Sequence, residues 1–323
     1  MRFIADRYKV IKKIPGGNMS TIYHCLDRKL DSEEVILKVF DKTGTENEDF
    51  QSKLFYREVE NLEILNHQNI IQIINKGIDN EHEKYYITLE FFDGKNLDYF
   101  IKGWDLPINE KLKIIVQILD AVIYAHSKNV IHRDLKPGNI LIDNEYNVKI
   151  IDFGISKFES SIFSDDTFKM FGTPKYASYE QKKSLDITFN TDIYALGIIF
   201  YEFLDNKILQ IDSIANIKGL IEKAKLDKCI KDILVNMVDE NENISLTDVR
   251  RVFIQELKGY QKHEGKYYLL GFTNNAVKKL FNFGYIARED KELAFKFIDK
   301  DLSKENYINL NTQASVDQPY TCV

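Results

Sequence analysis

His132-Arg133-Asp134-Leu135-Lys136-Pro137-Gly138-Asn139, followed after a short apolar run by Asp152-Phe153-Gly154, decides how this chain is read. An aspartate set against an incoming hydroxyl can take its proton, while an asparagine and a second aspartate can hold a hard divalent cation against a triphosphate. Asn139 follows Asp134 by five residues, so a single loop carries both the candidate base and a candidate metal ligand. Lys136 adds a positive charge of the kind that neutralises a phosphoryl group in transfer. Ile140-Leu141-Ile142 and Val148-Lys149-Ile150-Ile151, between the two motifs, read as short apolar strands.

Segments on either side extend the pattern. Ile14-Pro15-Gly16-Gly17-Asn18-Met19-Ser20-Thr21-Ile22-Tyr23 is a turn rich in small residues, whose backbone amides can approach phosphate closely. Val35-Ile36-Leu37-Lys38 reads as a strand ending on a lysine, and Phe55 to Leu62 has apolar residues at helical spacing with Glu58 among them. Further on stand Gly172-Thr173-Pro174-Lys175-Tyr176-Ala177-Ser178-Tyr179-Glu180 and Asp192-Ile193-Tyr194-Ala195-Leu196-Gly197. Together these motifs resemble the eukaryotic-type (Hanks-type) protein serine/threonine kinases, most of all their bacterial members, over roughly residues 8 to 255.

That resemblance implies an α+β, bilobal protein-kinase-like fold: a small β-rich N-lobe with one helix over 1–91, and a mostly helical C-lobe over 92–258. It implies ATP and Mg²⁺ as cofactors and serine or threonine of a protein as acceptor, with the chain's own activation segment among the targets. By position, Asp134 is the base, Lys136 the charge partner of the γ-phosphoryl group, Lys38 the phosphate-binding lysine paired with Glu58, and Thr173 a further catalytic-site residue. Asn139 and Asp152 are the metal ligands. The nucleotide site takes in Ile14, Gly16, Gly17, Ser20, Ile22, Ile36, Lys38, Leu89, Glu90, Phe92, Asn96 and Leu141, with Ile22 and Ile36 above the base, Leu141 below it and Leu89 as gatekeeper. His132 is expected to stack with Leu62, Ile73 and Phe153, and Asp192 to accept hydrogen bonds from the catalytic-loop backbone. Thr167, and after it Ser164, Ser160 and Ser161, are the candidate regulatory phosphorylation sites, with Arg133 as their expected partner.

The chain also departs from the family pattern. Pro15 and Ser20 replace two glycines of the phosphate loop, Ile36 stands where a smaller residue is usual, and Tyr179 replaces a proline. Asn243 occupies the place of an arginine that normally pairs with Glu180, which leaves Arg250 or Arg251 as candidate substitutes. These departures keep open a pseudokinase or nucleotide-binding signalling module. A small-molecule kinase shares the His-x-Asp-x-x-x-x-Asn arrangement but generally lacks Asp-Phe-Gly and the segment ending Gly-Thr-x-x-Tyr.

Composition bounds the rest. With 323 residues, 44% of them hydrophobic and 29% charged, the chain can bury a sizeable core in about two domains. A net charge of −6 offers no basic footprint for nucleic acid. No apolar run approaches the roughly 20 residues of a membrane span, and the N-terminus lacks a signal-peptide core. Cys25, Cys229 and Cys322 show no paired spacing for zinc or a disulfide, which fits a cytoplasmic location.

Local patterns predict three strands over 8 to 40 and two more at Ile70–Ile74 and Tyr85–Glu90, giving a five-stranded lobe. A connector at Glu90–Asn96 has Gly94 as its hinge candidate. Leu112, Ile115, Leu119, Val122 and His126 predict an amphipathic helix from Asn109 to Ser127. Beyond 258, Lys266 to Phe272 reads as a strand, Thr273 as the N-cap of a helix through Phe281, and Lys291 to Leu302 as a second helix. Residues 259–310 thus form a small appendage, packed on the large lobe or serving as a docking surface for a partner or second protomer, and 311–323 a flexible tail.

Overall fold

The structure is a computed structural model that describes residues 3–15, 20–41, 55–56, 58–79, 84–103, 106–153, 174–183 and 187–268, the last ten for backbone only. Among them the first lobe is a six-stranded antiparallel sheet in the order β1-β2-β3-β4-β6-β5. Its strands are β1 (Phe3–Ile4), β2 (Tyr8–Ile14), β3 (Thr21–Asp27), β4 (Glu33–Asp41), β5 (Ile73–Asp79) and β6 (Lys84–Glu90). The sixth strand, β1, is a two-residue addition that folds back on β2 through Ala5 and Asp6, both at positive φ. The strand expected at Ile70–Ile74 begins instead at Ile73, because Ile70 is drawn into a parallel bridge with Ile150 of the other lobe.

Alternation along the strands makes both faces of this sheet apolar. One face buries Tyr8, Tyr23, Cys25, Val35, Leu37, Val39 and Tyr86 in a core of its own. The opposite face, with Phe40, Ile87 and Leu89, joins the main core, where helix α1 (58–64) contributes Val59 and Leu62. Cys25 is free, and burial pushes its thiol pKa up to about 12. Cys322 lies outside the described residues.

The second lobe opens with β7 (Lys95–Asn96) and α2 (Leu97–Gly103), whose first turn is capped by Asn96 Oδ1, which accepts from the Tyr99 amide at 3.2 Å. Helix α3 (Ile108–Ser127) matches the predicted amphipathic helix to within one residue at its start, and Leu112, Ile115, Leu119 and Val122 are fully buried. β8 (Ile140–Ile142) and β9 (Val148–Ile150) complete a small sheet with β7. Helices α4 (Tyr179–Lys182), α5 (Asn190–Leu204), α6 (Ile217–Lys223), α7 (Lys228–Met237) and α8 (Leu246–Tyr268) follow. α5 is buried along nearly its whole length, as its apolar run from Tyr194 predicts.

α8 corrects the sequence reading at two points. It runs unbroken across position 258, and it takes in Lys266, Tyr267 and Tyr268, which the local β-preference of two tyrosines had placed in a strand. Val249 and Phe253, both fully buried, seat α8 on the core, Phe253 edge-on to Phe200 of α5 at 5.6 Å. A helix nucleated by such packing extends at low cost, which outweighs the weak preference of three residues at its end. The expected elements beyond 268 lie outside the described residues. Among the described residues no helix is long and apolar enough to cross a membrane.

Candidate active site

Strand register brings the first half of the site together. Ile14 pairs with Ile22, Ile22 with Lys38, and Ile36 with Leu89, so these side chains share the sheet face turned toward the second lobe. Lys38 is 2% exposed. Its Nζ donates to Glu58 Oε1 at 2.7 Å and Oε2 at 3.0 Å, and to Asp152 Oδ1 at 3.0 Å. One ammonium thus ties the sheet, helix α1 and the start of the Asp-Phe-Gly segment.

A single cation between two carboxylates cannot neutralise both. Burial opposes the charge on Lys38, but Asp152 and Glu58 together outweigh it and hold its pKa above the ordinary value. Burial likewise works against ionised Asp152, yet Lys38 keeps its carboxyl below the usual range. Glu58 takes the remaining cost: burial, reinforced by Asp152 and only partly offset by Lys38, raises its pKa.

The second half of the site is the loop from His132 to Asn139. Asp192, on the first turn of α5, accepts from the backbone amides of His132 and Arg133, both at 2.8 Å, as expected. His126 Nε2 lies 2.8 Å from the same carboxylate. His132 is fully buried, lies 4.6 Å from the Phe153 ring, and contacts the Ile151 carbonyl through Nε2 at 2.9 Å. Leu62, Ile73 and Phe153 belong to one apolar cluster that crosses between the lobes. Lys136 Nζ donates to Asp134 Oδ2 at 2.7 Å, and Asn139 Nδ2 donates to the Asp134 carbonyl at 2.9 Å. The Asn139 carbonyl in turn receives the Ile151 amide at 3.0 Å, next to Asp152. Asp152 itself has φ near 64°, a left-handed conformation unusual for a non-glycine residue.

The connector is fixed rather than loose. Glu90 Oε1 receives the Gln72 amide at 2.8 Å and Lys149 Nζ at 2.5 Å. Phe92 accepts from the Gly94 amide at 3.0 Å. A Cβ at Gly94 would stand 2.7 Å from the Phe92 ring and 3.0 Å from the Ile142 carbonyl, so close packing against β8 is what requires glycine here. Leu141, half-buried on β8, pairs with Asn96 across the small sheet. Ser20 is half-buried at the entry to β3. Gly16, Gly17, Thr173, Thr167, Ser164, Ser160 and Ser161 lie outside the described residues.

The substitutes proposed for the Glu180 partner are both engaged elsewhere. Arg250 pairs with Asp120 of α3 and Arg251 with Asp248 one turn away. The segment is anchored instead by Glu202, fully buried on α5, which accepts from Lys175 Nζ at 2.6 Å, Tyr176 Oη at 2.8 Å and the Leu209 amide at 2.6 Å. Burial, then the Glu202 charge, pushes the Tyr176 pKa up. Glu202 was missed at the sequence level, though a lone carboxylate inside an apolar helix must find donors and so announces a buried network.

The profile of the protein kinase domain matches residues 8–320. Among curated relatives, the chain is 40% identical over 209 residues to the probable serine/threonine-protein kinase PknB of Lactococcus lactis, covering 64% of this chain and 33% of that protein. It is 37% identical over 206 residues to the serine/threonine-protein kinase PrkC of Bacillus subtilis, covering 64% of this chain and 31% of that protein. It is 31% identical over 200 residues to the serine/threonine-protein kinase PknL of Mycobacterium tuberculosis, covering 62% and 49% respectively. The aligned region therefore spans from about a third to a half of each of these relatives. With the profile matched across most of its length and the loop from His132, the Lys38–Glu58 pair and the Asp152 turn assembled in one cleft, this chain belongs to the protein kinase domain family.

Proposed function

We propose that the chain transfers the γ-phosphoryl group of MgATP to serine and threonine hydroxyls of protein substrates. The observation that carries this reading is the simultaneous contact of Lys38 with Glu58 and Asp152, beside a loop in which Asp134 and Asn139 are already hydrogen-bonded. Lys38, Glu58 and Asp152 serve nucleotide and metal binding in either case; the group that a module used only for binding has no need of is Asp134, held beside Lys136 and Asn139.

In this mechanism Ile14, Ile22, Ile36, Leu89 and Leu141 enclose the purine, and the backbone groups of Glu90 and Phe92 read its edge. Ser20, with Gly16 and Gly17 as the sequence candidates beside it, would cover the phosphates, Asn96 would line the mouth of the site, and Lys38 would orient the α- and β-phosphates. Asp134 holds the acceptor hydroxyl and takes its proton, and Lys136 offsets charge on the moving phosphoryl group. Asn139 and Asp152 fit a hard cation: the Asn139 amide nitrogen is committed to the Asp134 carbonyl, which leaves its oxygen as the ligand atom, and Asp152 is held ionised by Lys38. Magnesium, when bound there, screens the triphosphate charge and orients it.

The same proposal assigns 1–91 and 92–258 to the two lobes, with 259–268 as an extension of the last helix of the large lobe. It places the reaction in the cytoplasm, where MgATP is the phosphoryl donor. A second reading, a nucleotide-binding module without transfer, draws on Glu180, which has no arginine partner among the described residues. Incubation with γ-labelled ATP and magnesium separates the two. Label on serine or threonine of protein supports the kinase; bound nucleotide without transfer supports the module, and label on a small molecule contradicts both.

A further inference from the structure

Arg133, immediately before the candidate base, has φ near 65°. A non-glycine residue stays in that left-handed region only when its surroundings hold it there. Because the Arg133–Asp134 peptide sets the direction in which Asp134 leaves the loop, whatever grips Arg133 also aims the Asp134 carboxylate.

Two buried side chains grip it from opposite ends. Asp192 Oδ1 accepts from the Arg133 amide at 2.8 Å, and Gln181 Nε2 donates to the Arg133 carbonyl at 2.7 Å. Gln181 is 3% exposed and lies on α4, at the end of the segment that begins with Asp-Phe-Gly. Its amide serves two masters. Gln181 Oε1 accepts from the Ser178 amide at 3.2 Å while Ser178 Oγ accepts from the Gln181 amide at 3.4 Å, a reciprocal cap on α4. Ser178 Oγ also lies 3.3 Å from Thr191 Oγ1, on the turn of α5 that carries Asp192. The cap needs only the oxygen of Gln181; the nitrogen is what reaches the catalytic loop.

We propose that Gln181 is a positioning residue for phosphoryl transfer, locking the Arg133 carbonyl, and through it the Asp134 carboxylate, to the seated end of the activation segment. Displacement of residues 178–181 then misaims the base without disturbing the nucleotide pocket. The inference rests on the kinase reading above.

Gln181→Glu separates the two jobs of the side chain. It keeps the acceptor that caps α4 and nearly the same shape, but puts an acceptor in place of the donor opposite the Arg133 carbonyl. Gln181→Met removes both. On the full 323-residue chain, kcat, the KM for ATP, MgATP affinity by calorimetry, thermal midpoint and amide hydrogen exchange across 132–136 are measured. The expected result for Gln181→Glu is a kcat lower by roughly ten- to a hundredfold, the scale of one lost buried hydrogen bond, with KM and MgATP affinity nearly unchanged. Exchange at 132–136 rises while α3 stays protected. The kcat deficit narrows as pH falls, because a buried carboxyl has a raised pKa and, once protonated, its O–H donates to the carbonyl in place of Nε2. Wild-type kcat in Gln181→Glu, or a loss that merely follows the unfolded fraction with no change at 132–136, overturns the inference. If the wild-type chain transfers no phosphate, the kinase reading fails, and the exchange measurement still decides whether Gln181 holds the loop.

Discussion

Lys38 donates to both carboxylate oxygens of Glu58, at 2.7 and 3.0 Å, from a site where each side chain is only 2% exposed. Removing the ammonium leaves Glu58 and Asp152 facing each other across a buried gap. Lys38→Met is expected to cost about 3–5 kcal/mol of stability, the usual range for breaking one side of a buried pair, as well as phosphoryl transfer. The raised Glu58 pKa sets the pH dependence: its contribution is fully present below the ordinary 4.5 and is lost as pH rises through the folded value. The deficit should therefore narrow at acid pH. Denaturant titrations of wild type and variant across pH check this, and an equal deficit at every pH would refute the assigned charge state.

Asp27 gives the opposite sign. It is fully buried and accepts from Arg7 Nε at 2.7 Å and Nη2 at 2.6 Å. Burial alone would raise its pKa, but Arg7 and the Lys29 amide more than compensate and lower it below 3.8. Its contribution is present above that unfolded value and is lost as pH falls through the folded one. Asp27→Asn should destabilise by about 2 kcal/mol near neutral pH, a charge-assisted hydrogen bond's worth, and by progressively less toward strong acid. Chemical denaturation at neutral and acid pH measures it; a pH-independent difference would argue against the ion pair.

For the metal, Asp152→Asn keeps the shape and removes the charge that opposes triphosphate repulsion. Calorimetry should show magnesium-dependent ATP binding abolished or weakened by at least roughly tenfold, since a neutral amide is a poorer ligand for a hard cation. MgATP affinity equal to wild type would exclude Asp152 as a ligand.

In the segment between Asp152 and Thr173, the sequence points to Thr167 as the phosphorylated residue, with Ser164, Ser160 and Ser161 behind it. A phosphate adds about −1.5 to −2 charge, which an arginine beside the base, here Arg133, can recognise. Mass spectrometry of the expressed protein should place phosphate on Thr167, and Thr167→Ala should lower activity. An unmodified segment in a fully active protein contradicts this.

The groups to which the proposed chemistry is assigned are legible in the sequence because each stands in a short motif carried by one local loop or strand: Asp134 and Asn139, Lys38, Asp152. Helical periodicity places Glu58 on a helix, and the family resemblance implies its pairing with Lys38. The supports were not. Gln181 and Glu202 act across 48 and 27 residues respectively, on the Arg133 carbonyl and on Lys175, and no local pattern encodes such a distance. No local pattern shows that Arg250 and Arg251 pair with Asp120 and Asp248 rather than with Glu180, or that the segment is anchored by another carboxylate, Glu202. At the end of α8 the local preference of Lys266-Tyr267-Tyr268 was overridden by a helix seated on Val249 and Phe253. Strand β1 was too short to carry an alternation signal at all.

The most direct test of the account is kcat for Asp134→Asn at saturating MgATP, measured beside wild type on the same protein substrate. The asparagine keeps the backbone carbonyl that receives Asn139 Nδ2 at 2.9 Å, and removes the carboxylate that pairs with Lys136 and serves as proton acceptor. The expected result is unchanged MgATP affinity with kcat lowered by about 10²–10⁴-fold. Turnover close to wild type would contradict it.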